Sequence, residues 1–256
     1  ILKDKVYGEE ATKLFDEAQV YLKEICSAEL QLNKAKVGFF KAKTVVDDIE
    51  LFDETGKIET LCMLRSQRKM QEATSKNRSL SDFISPVSED YIGGFIVTAG
   101  LGLESILEKH KDDDYALIMI KSLADRLAEA FAEYMHKYVR TELWGHSKDE
   151  NLTKEELVKE NYVGIRPAPG YAACPDHSEK QKLFKLLGGN EIGVSLTENC
   201  AMLPASSVSG WYFSHPEAKY FNVGKVEKDQ VLDYANRKGL SLEQTEKWLR
   251  SILNYN

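Results

Sequence analysis

The sequence predicts a single α+β domain in which helices flank a mainly antiparallel, bent β-sheet. Helical and strand-like segments are mixed along the 256 residues, without the regular alternation that builds a doubly wound parallel sheet. Residues 48–52 and 58–64 are strand-like and flank a turn at residues 53–56, which is the pattern of a β-hairpin. A chain of this length can bury a substantial core.

Two helices are predicted from apolar residues at helical spacing. The first spans residues 8–26, and its apolar stripe consists of Ala11, Leu14, Phe15, Ala18, Leu22 and Ile25. The second spans residues 114–144, and its apolar face consists of Ile118, Leu123, Leu127, Phe131, Tyr134 and Tyr138. Asp125, Glu129 and Glu133 are four residues apart on a second face. That face is either solvated or a docking surface for another domain.

The remaining elements follow from local signals. Thr153 and Ser241 begin capping boxes that predict short helices, and Asp176 begins another helix that Gly188 and Gly189 end. Residues 79–84 predict one helical turn. Four further segments have the composition of strands: residues 37–40, 91–99, 206–213 and 220–226.

Composition and charge exclude several classes of function. The net charge of −7, from 34 basic and 41 acidic residues, argues against a nucleic-acid partner, which would require a basic face. No apolar run approaches the ~20 residues of a membrane span, so no membrane partner is expected. The four cysteines are widely separated and no secretory signal opens the chain, which predicts reduced thiols in a cytoplasmic protein.

A rigid turn at residues 166–171 is the strongest candidate site. Its residues are Arg166, Pro167, Ala168, Pro169, Gly170 and Tyr171. The prolines restrict the backbone and the glycine admits close approach of a flat ring. An arginine can hold a carboxylate through two parallel hydrogen bonds, and the N–H groups of Ala168, Gly170 or Tyr171 could bind a ligand. The alternative interpretation is a purely structural turn.

Two further motifs imitate known sites. Residues 99–105, AGLGLES, resemble a dinucleotide-binding loop, but Ser105 replaces the third glycine and no acidic strand end follows. A structural turn is the better interpretation. Cys174 and His177 are close in sequence but lack the partner pair of a zinc site, so no metal is predicted. His215 has no nucleophile in a recognisable motif, and we predict no catalytic side chain.

Three blocks of sequence resemble the C-terminal activation domain of cobalamin-dependent methionine synthase. They are residues 160–177 (ENYVGIRPAPGYAACPDH), 125–134 (DRLAEAFAEY) and 209–221 (SGWYFSHPEAKYF), and the likeness continues through residues 229–239. The resemblance covers nearly the whole chain. It implies that residues 1–256 form one activation domain, a fragment of a larger multidomain enzyme.

The resemblance also implies a site for S-adenosylmethionine (AdoMet). Arg166 would hold the methionyl carboxylate, Ala168 and Gly170 would meet the adenine through backbone groups, and Tyr171 would line the pocket. The aromatic pair Tyr220 and Phe221 is implied at the ligand, although Phe221 lacks the hydroxyl of the family's usual tyrosine. Glu129 and Glu160 match acidic positions near the ligand, where they would neutralise its amine or bind ribose hydroxyls.

The function implied by the resemblance is reactivation of methionine synthase. AdoMet would supply a methyl group for the reductive methylation of cob(II)alamin, with cobalamin held by a neighbouring domain of the same enzyme. A flavodoxin-like protein would supply the electron. The isolated domain would then be inactive alone. Two alternatives are a stand-alone AdoMet-dependent methyltransferase for a small molecule and an interaction module with a vestigial site.

In this family an aspartate on an arm before the first helix also contacts AdoMet, and the motif that carries it is absent from this sequence. We expect a chain extended at its N terminus with that arm to bind AdoMet more tightly than residues 1–256. Calorimetric titration of both chains is the measurement, and equal affinities would refute the expectation.

Overall fold

A five-stranded antiparallel sheet organises the fold in the computed structural model, which describes residues 1–28, 33–67 and 77–255. The strands lie in the order β3-β2-β1-β4-β7. Their bounds are Lys34–Val45 for β1, Asp48–Asp53 for β2, Gly56–Leu61 for β3, Asp90–Thr98 for β4 and Ser207–Tyr212 for β7. The short strands β5 (Ser195–Leu196) and β6 (Met202–Leu203) form a separate antiparallel pair. The predicted antiparallel α+β class is confirmed.

Strand β1 joins the two parts of the sheet because it is twice as long as its neighbour β2. From Lys34 to Ala42 it pairs with β4, and from Lys41 to Val45 it pairs with β2. The predicted hairpin of β2 and β3 is present and contains a bulge at Leu51 and Phe52. The hairpin therefore extends one end of the sheet, and β7 forms its opposite edge.

Strand β4 is buried on both faces because helices cover the sheet on either side. Ile92 and Ile96 belong to the core that includes Leu183 of helix α5 (Glu179–Leu187). Phe95 and Val97 face the opposite way, toward helix α3 (Asp114–Tyr138). This position explains the continuous apolar run of β4, since a strand between two helical layers has no solvated face.

Helix α3 packs through small residues, and this corrects the predicted apolar face. The buried residues are Ala116, Ile120, Ala124, Ala128, Ala132, Met135 and His136. Ile118 and Tyr134, assigned to the apolar face, are 66% and 62% exposed. Alanines admit close approach of the helix to its neighbours, whereas the larger side chains cannot fit in that interface. The predicted helix to residue 144 is confirmed as α3 followed by one π-helical turn, Val139–Leu143.

The other helices lie around these layers. Helix α1 (Gly8–Ser27) packs on α3 and buries Ile25, although Leu14 and Phe15 of its predicted stripe are about half exposed. The remaining helices are α2 (Glu104–Lys109), α4 (Lys154–Val158), α6 (Lys228–Lys238) and α7 (Leu242–Leu249). The predicted capping boxes at Thr153 and Ser241 are both formed. No helix in the described ranges is long and apolar enough to cross a membrane.

One predicted strand, at residues 220–226, is wrong. The segment donates and accepts single hydrogen bonds with several loops instead of pairing with one strand. The Val223 N–H donates to the Ala172 carbonyl at 2.9 Å, and the Val226 N–H donates to the Ile252 carbonyl at 2.9 Å. The apolar residues that suggested a strand instead fill a core with α6 and α7.

The close packing of α3 against the sheet predicts that Ala132→Leu will destabilise the protein. Ala132 is fully buried against Phe95 and Val97, so added methylenes should cost about 1–3 kcal/mol of unfolding free energy. Urea denaturation is the measurement. Ala130→Leu, on the exposed side of the same helix, should change stability by less than about 0.5 kcal/mol. Equal effects of the two substitutions would contradict this packing.

Candidate functional site

The segment before the proline turn lies along strand β7, at the edge of the sheet. Ile165 and Phe213 exchange two backbone hydrogen bonds of 3.0 Å. The Trp211 N–H donates to the Pro167 carbonyl at 2.9 Å. Proline has no N–H to donate, but here it needs only to accept. The edge strand thereby fixes the backbone from which Arg166 projects.

The turn itself is closed by its own hydrogen bonds. The Tyr171 N–H donates to the Ala168 carbonyl at 3.2 Å, and the Gly170 N–H donates to the Cys174 carbonyl at 2.6 Å. Of the three N–H groups predicted to meet a ligand, these two are therefore engaged. The Ala168 N–H makes no backbone hydrogen bond within the described ranges.

Glycine is required at position 170 for two reasons. Its φ of +95° lies in the region that L-residues rarely adopt. A β-carbon there would also lie 2.3 Å from the His177 ring. The missing side chain thus lets the turn lie directly against His177, and the turn cannot shift away without breaking its contact with β7.

Arg166 is held from two sides. Its backbone N–H donates to the Tyr220 hydroxyl at 3.0 Å, and its guanidinium forms an ion pair with Glu133 of α3 through Nη2. Burial lowers the pKa of Arg166, but the charge of Glu133 opposes it and the net pKa is raised. The Nε atom is buried and has no hydrogen-bond partner among the described residues. Arg166 is therefore a fixed cation with an unused donor.

These residues surround a cavity of about 500 Å³, which is a usual size for a small-molecule site. The predicted site residues that line it are Glu129, Glu160, Arg166, Pro167, Ala168, Gly170, Tyr171, Tyr220 and Phe221. Pro169 is buried and does not line the cavity. The structure thus brings together residues from α3, the turn and the segment after β7.

Two carboxylates give the cavity an acidic wall. Glu129 projects from α3, and Glu160 follows α4 with a φ of +55°, where glycine or asparagine is usual. Both residues are exposed to solvent. Together with the aromatic rings of Tyr171, Tyr220 and Phe221, these carboxylates suit a ligand with a cationic part.

Among the residues at the site that the sequence does not predict, three have titratable side chains: Glu133, His177 and Lys180. The sequence places Glu133 on a charged face of α3, and in the structure it forms an ion pair with Arg166. His177 and Lys180 line the cavity, and burial lowers the pKa of both. The sequence predicts a helix start at residues 176–179, which include His177 and precede Lys180. That signal does not indicate which side chains of the helix face the turn.

A largely buried aromatic layer connects helix α3 to strand β7. The His136 ring stacks on Tyr212 with centroids 5.2 Å apart, and Tyr162 meets His136 edge-on at 4.9 Å. The Arg140 guanidinium lies 4.1 Å from the Tyr162 ring centroid and is paired with Glu150 through two hydrogen bonds. Burial raises the pKa of Tyr162 and Tyr212 and, with nearby arginines, lowers that of His136.

Residues of both motifs take part in packing and hydrogen bonding within the fold. In the glycine loop, a β-carbon on Gly100 would lie 2.7 Å from Pro204, so this glycine serves packing. Near the Cys-Pro-Asp-His sequence, Asp176 accepts hydrogen bonds from Tyr234 and Lys238 instead of facing Cys174 and His177. No group of three or more potential metal ligands occurs in the described part of the chain.

This chain is an α+β domain in which an edge-strand turn holds a fixed arginine beside an acidic, aromatic cavity of the size usual for a small-molecule site. The chain belongs to the family described as the activation domain of vitamin B12 dependent methionine synthase, whose model matches residues 1–239. It is similar to the crystal structure of the MetH reactivation domain bound to AdoHcy, with 48% sequence identity and a TM-score of 0.92. That match covers 100% of this chain and 81% of the other. The resemblance inferred from the three sequence blocks is confirmed.

The buried imidazole predicts that stability falls in mild acid. His136 has a pKa well below 6.5 in the folded state, so only the unfolded chain gains its proton as the pH falls. Stability that is present above about pH 6.5 should be lost as the pH falls below it, because the unfolded chain then binds a proton that folded His136 does not.

Urea denaturation across this range is the measurement, and His136→Phe, which can retain the stacking on Tyr212, is the informative variant. Its stability should depend less on pH than that of the wild type. Some dependence should persist, because burial also lowers the pKa of His146 and His177. An unchanged slope in the variant would show that His136 is not the responsible group.

Proposed function

We propose that the chain binds AdoMet in this cavity and presents its methyl group for the reductive methylation of cob(II)alamin, which reactivates methionine synthase. The observation that carries the proposal is the convergence of Arg166, two carboxylates and three aromatic rings on one cavity. Family membership and the similarity to a domain bound to AdoHcy support it.

In this proposal, Arg166 binds the carboxylate of the ligand. Its guanidinium is fixed by Glu133 and by the hydrogen bond between its backbone and Tyr220, and its buried Nε–H has no described partner. A carboxylate at Nε would satisfy this donor, and a charge-assisted hydrogen bond in a partly buried site is strong. The Ala168 N–H is a second donor at the same turn.

The cationic parts of AdoMet face the acidic wall. Its ammonium and sulfonium groups each carry a positive charge, which Glu129 and Glu160 balance from opposite elements. Tyr171, Tyr220 and Phe221 supply aromatic faces for the sulfonium. Phe221 has no hydroxyl, so it contributes its ring and no side-chain hydrogen bond.

In this proposal the protein contributes orientation. The sulfonium sulfur is the leaving group, and reduced cobalamin, held by a neighbouring domain, supplies the nucleophile when that domain docks. The residues of this chain hold the tail and the rings so that the methyl carbon points out of the cavity. Tyr171 lies at the protein surface with 67% of its area exposed, which leaves this side of the site accessible to a docking domain.

The partners proposed for this chain are the cobalamin-binding domain of the same enzyme and a flavodoxin-like electron donor, in the cytoplasm. Methyl transfer from AdoMet to a small molecule without cobalamin would instead favour the stand-alone methyltransferase. Docking to the cobalamin domain without AdoMet binding would favour a structural module.

Titration of AdoMet against Arg166→Ala tests the site. Loss of a hydrogen bond to the ligand carboxylate should cost about 1.5–3 kcal/mol, or about tenfold or more in Kd. Calorimetry is the measurement. Arg126→Ala removes an exposed arginine of α3 that does not line the cavity, and it should leave Kd unchanged. Equal affinities of wild type and Arg166→Ala would remove Arg166 from the site.

A further inference from the structure

Lys180 is a buried cation in the wall of the cavity. It lies in the first turn of α5 and is only 7% exposed, yet it lines the same cavity as Arg166. Its Nζ donates to the Cys200 carbonyl at 3.2 Å and lies 3.2 Å from His177 Nδ1. An ammonium has three N–H donors, so one remains for a further acceptor.

The neighbouring lysines differ from Lys180 because they are paired with carboxylates. Lys182 and Lys238 both form ion pairs with Glu179, at 2.9 and 2.7 Å, and Lys238 also pairs with Asp176. Among the described residues, no carboxylate lies within ion-pair distance of Lys180. A buried ammonium without a counter-charge is costly unless hydrogen-bond acceptors surround it.

His177 connects Lys180 to the proline turn. Burial, with the charge of Lys180, lowers the pKa of His177, which favours a neutral ring whose Nδ1 accepts from Lys180. The same ring lies directly against Gly170. Lys180 is therefore tied to the Gly170 end of the turn, whereas Arg166 begins the turn and is tied to Glu133 and Tyr220.

The charge of the two cations decides which part of the ligand each can meet. AdoMet has one carboxylate, which the proposed function assigns to Arg166. Its sulfonium and ammonium would be repelled by Lys180. The adenosyl group is neutral and presents ring nitrogens and ribose oxygens that accept hydrogen bonds.

We infer that Lys180 is an adenosyl-binding residue: its free N–H donates to an acceptor atom of the adenine or the ribose, while His177 holds the ammonium against the turn. This inference rests on the proposed function. It adds a side-chain contact from α5 at the nucleoside end of the ligand, which the family resemblance already implies to lie at Ala168 and Gly170.

The experiment compares two ligands on three variants. AdoHcy carries both the adenosyl group and the amino-acid tail, whereas 5′-methylthioadenosine carries only the adenosyl group. Lys180→Met should weaken AdoHcy, measured by calorimetry, and 5′-methylthioadenosine, measured by its competition with AdoHcy, by a similar factor of about ten or more. Arg166→Ala should weaken AdoHcy alone. Lys185→Met, an exposed lysine of the same helix outside the cavity wall, should change neither.

Unchanged affinities in Lys180→Met, or a loss for AdoHcy without a loss for 5′-methylthioadenosine, would overturn the inference. If Lys180→Met does not fold, the same comparison is made with Lys180→Gln, whose side chain is uncharged and shorter; unchanged affinities for both ligands would again overturn the inference. A wild-type chain that binds no AdoHcy would refute the proposed function itself. A wild-type chain that binds AdoHcy tightly while Lys180 variants do so equally well refutes only the role of Lys180.

Discussion

The candidate site depends on the backbone pairing of residues 165–167 with edge strand β7. Two hydrogen bonds at Ile165 and one at the Pro167 carbonyl join an irregular loop to the most regular part of the molecule. A loop with two prolines has few conformations to lose, so fixing it costs little entropy. Because the sheet edge holds the backbone, Arg166 projects from a rigid base, which is what an oriented contact with a ligand requires.

Helix α3 completes the site because it can approach the sheet closely. Its alanine stripe brings the helix against β4 and β7, and Glu129 and Glu133 on its outer side then reach the turn. The aromatic layer joins the helix to β7, because His136 of α3 stacks on Tyr212 and meets Tyr162 edge-on. The same packing therefore serves the core and sets the distance between the acidic wall and Arg166.

The two sides of the cavity carry opposite charges. In the proposed function, carboxylates on α3 and after α4 balance the cationic groups of AdoMet, whereas Arg166 and Lys180 supply donors at the two ends of the turn. The cations are held apart by the turn, and each is fixed by a neighbouring side chain, Glu133 or His177. A ligand with a negative tail, a positive centre and a neutral nucleoside matches this order of charges.

Local signals in the sequence were sufficient for most of the helices and strands and for the proline turn. Capping boxes, hairpin spacing and the proline turn depend on neighbouring residues, so helices such as α7 were predicted correctly, and nine of the ten proposed site residues line one cavity. The buried face of α3, the irregular path of residues 220–226 and the positions of Glu133 and Lys180 were decided only by tertiary structure. Each of these depends on contacts between residues far apart in the chain, where packing and the pairing of charges outweigh local preference.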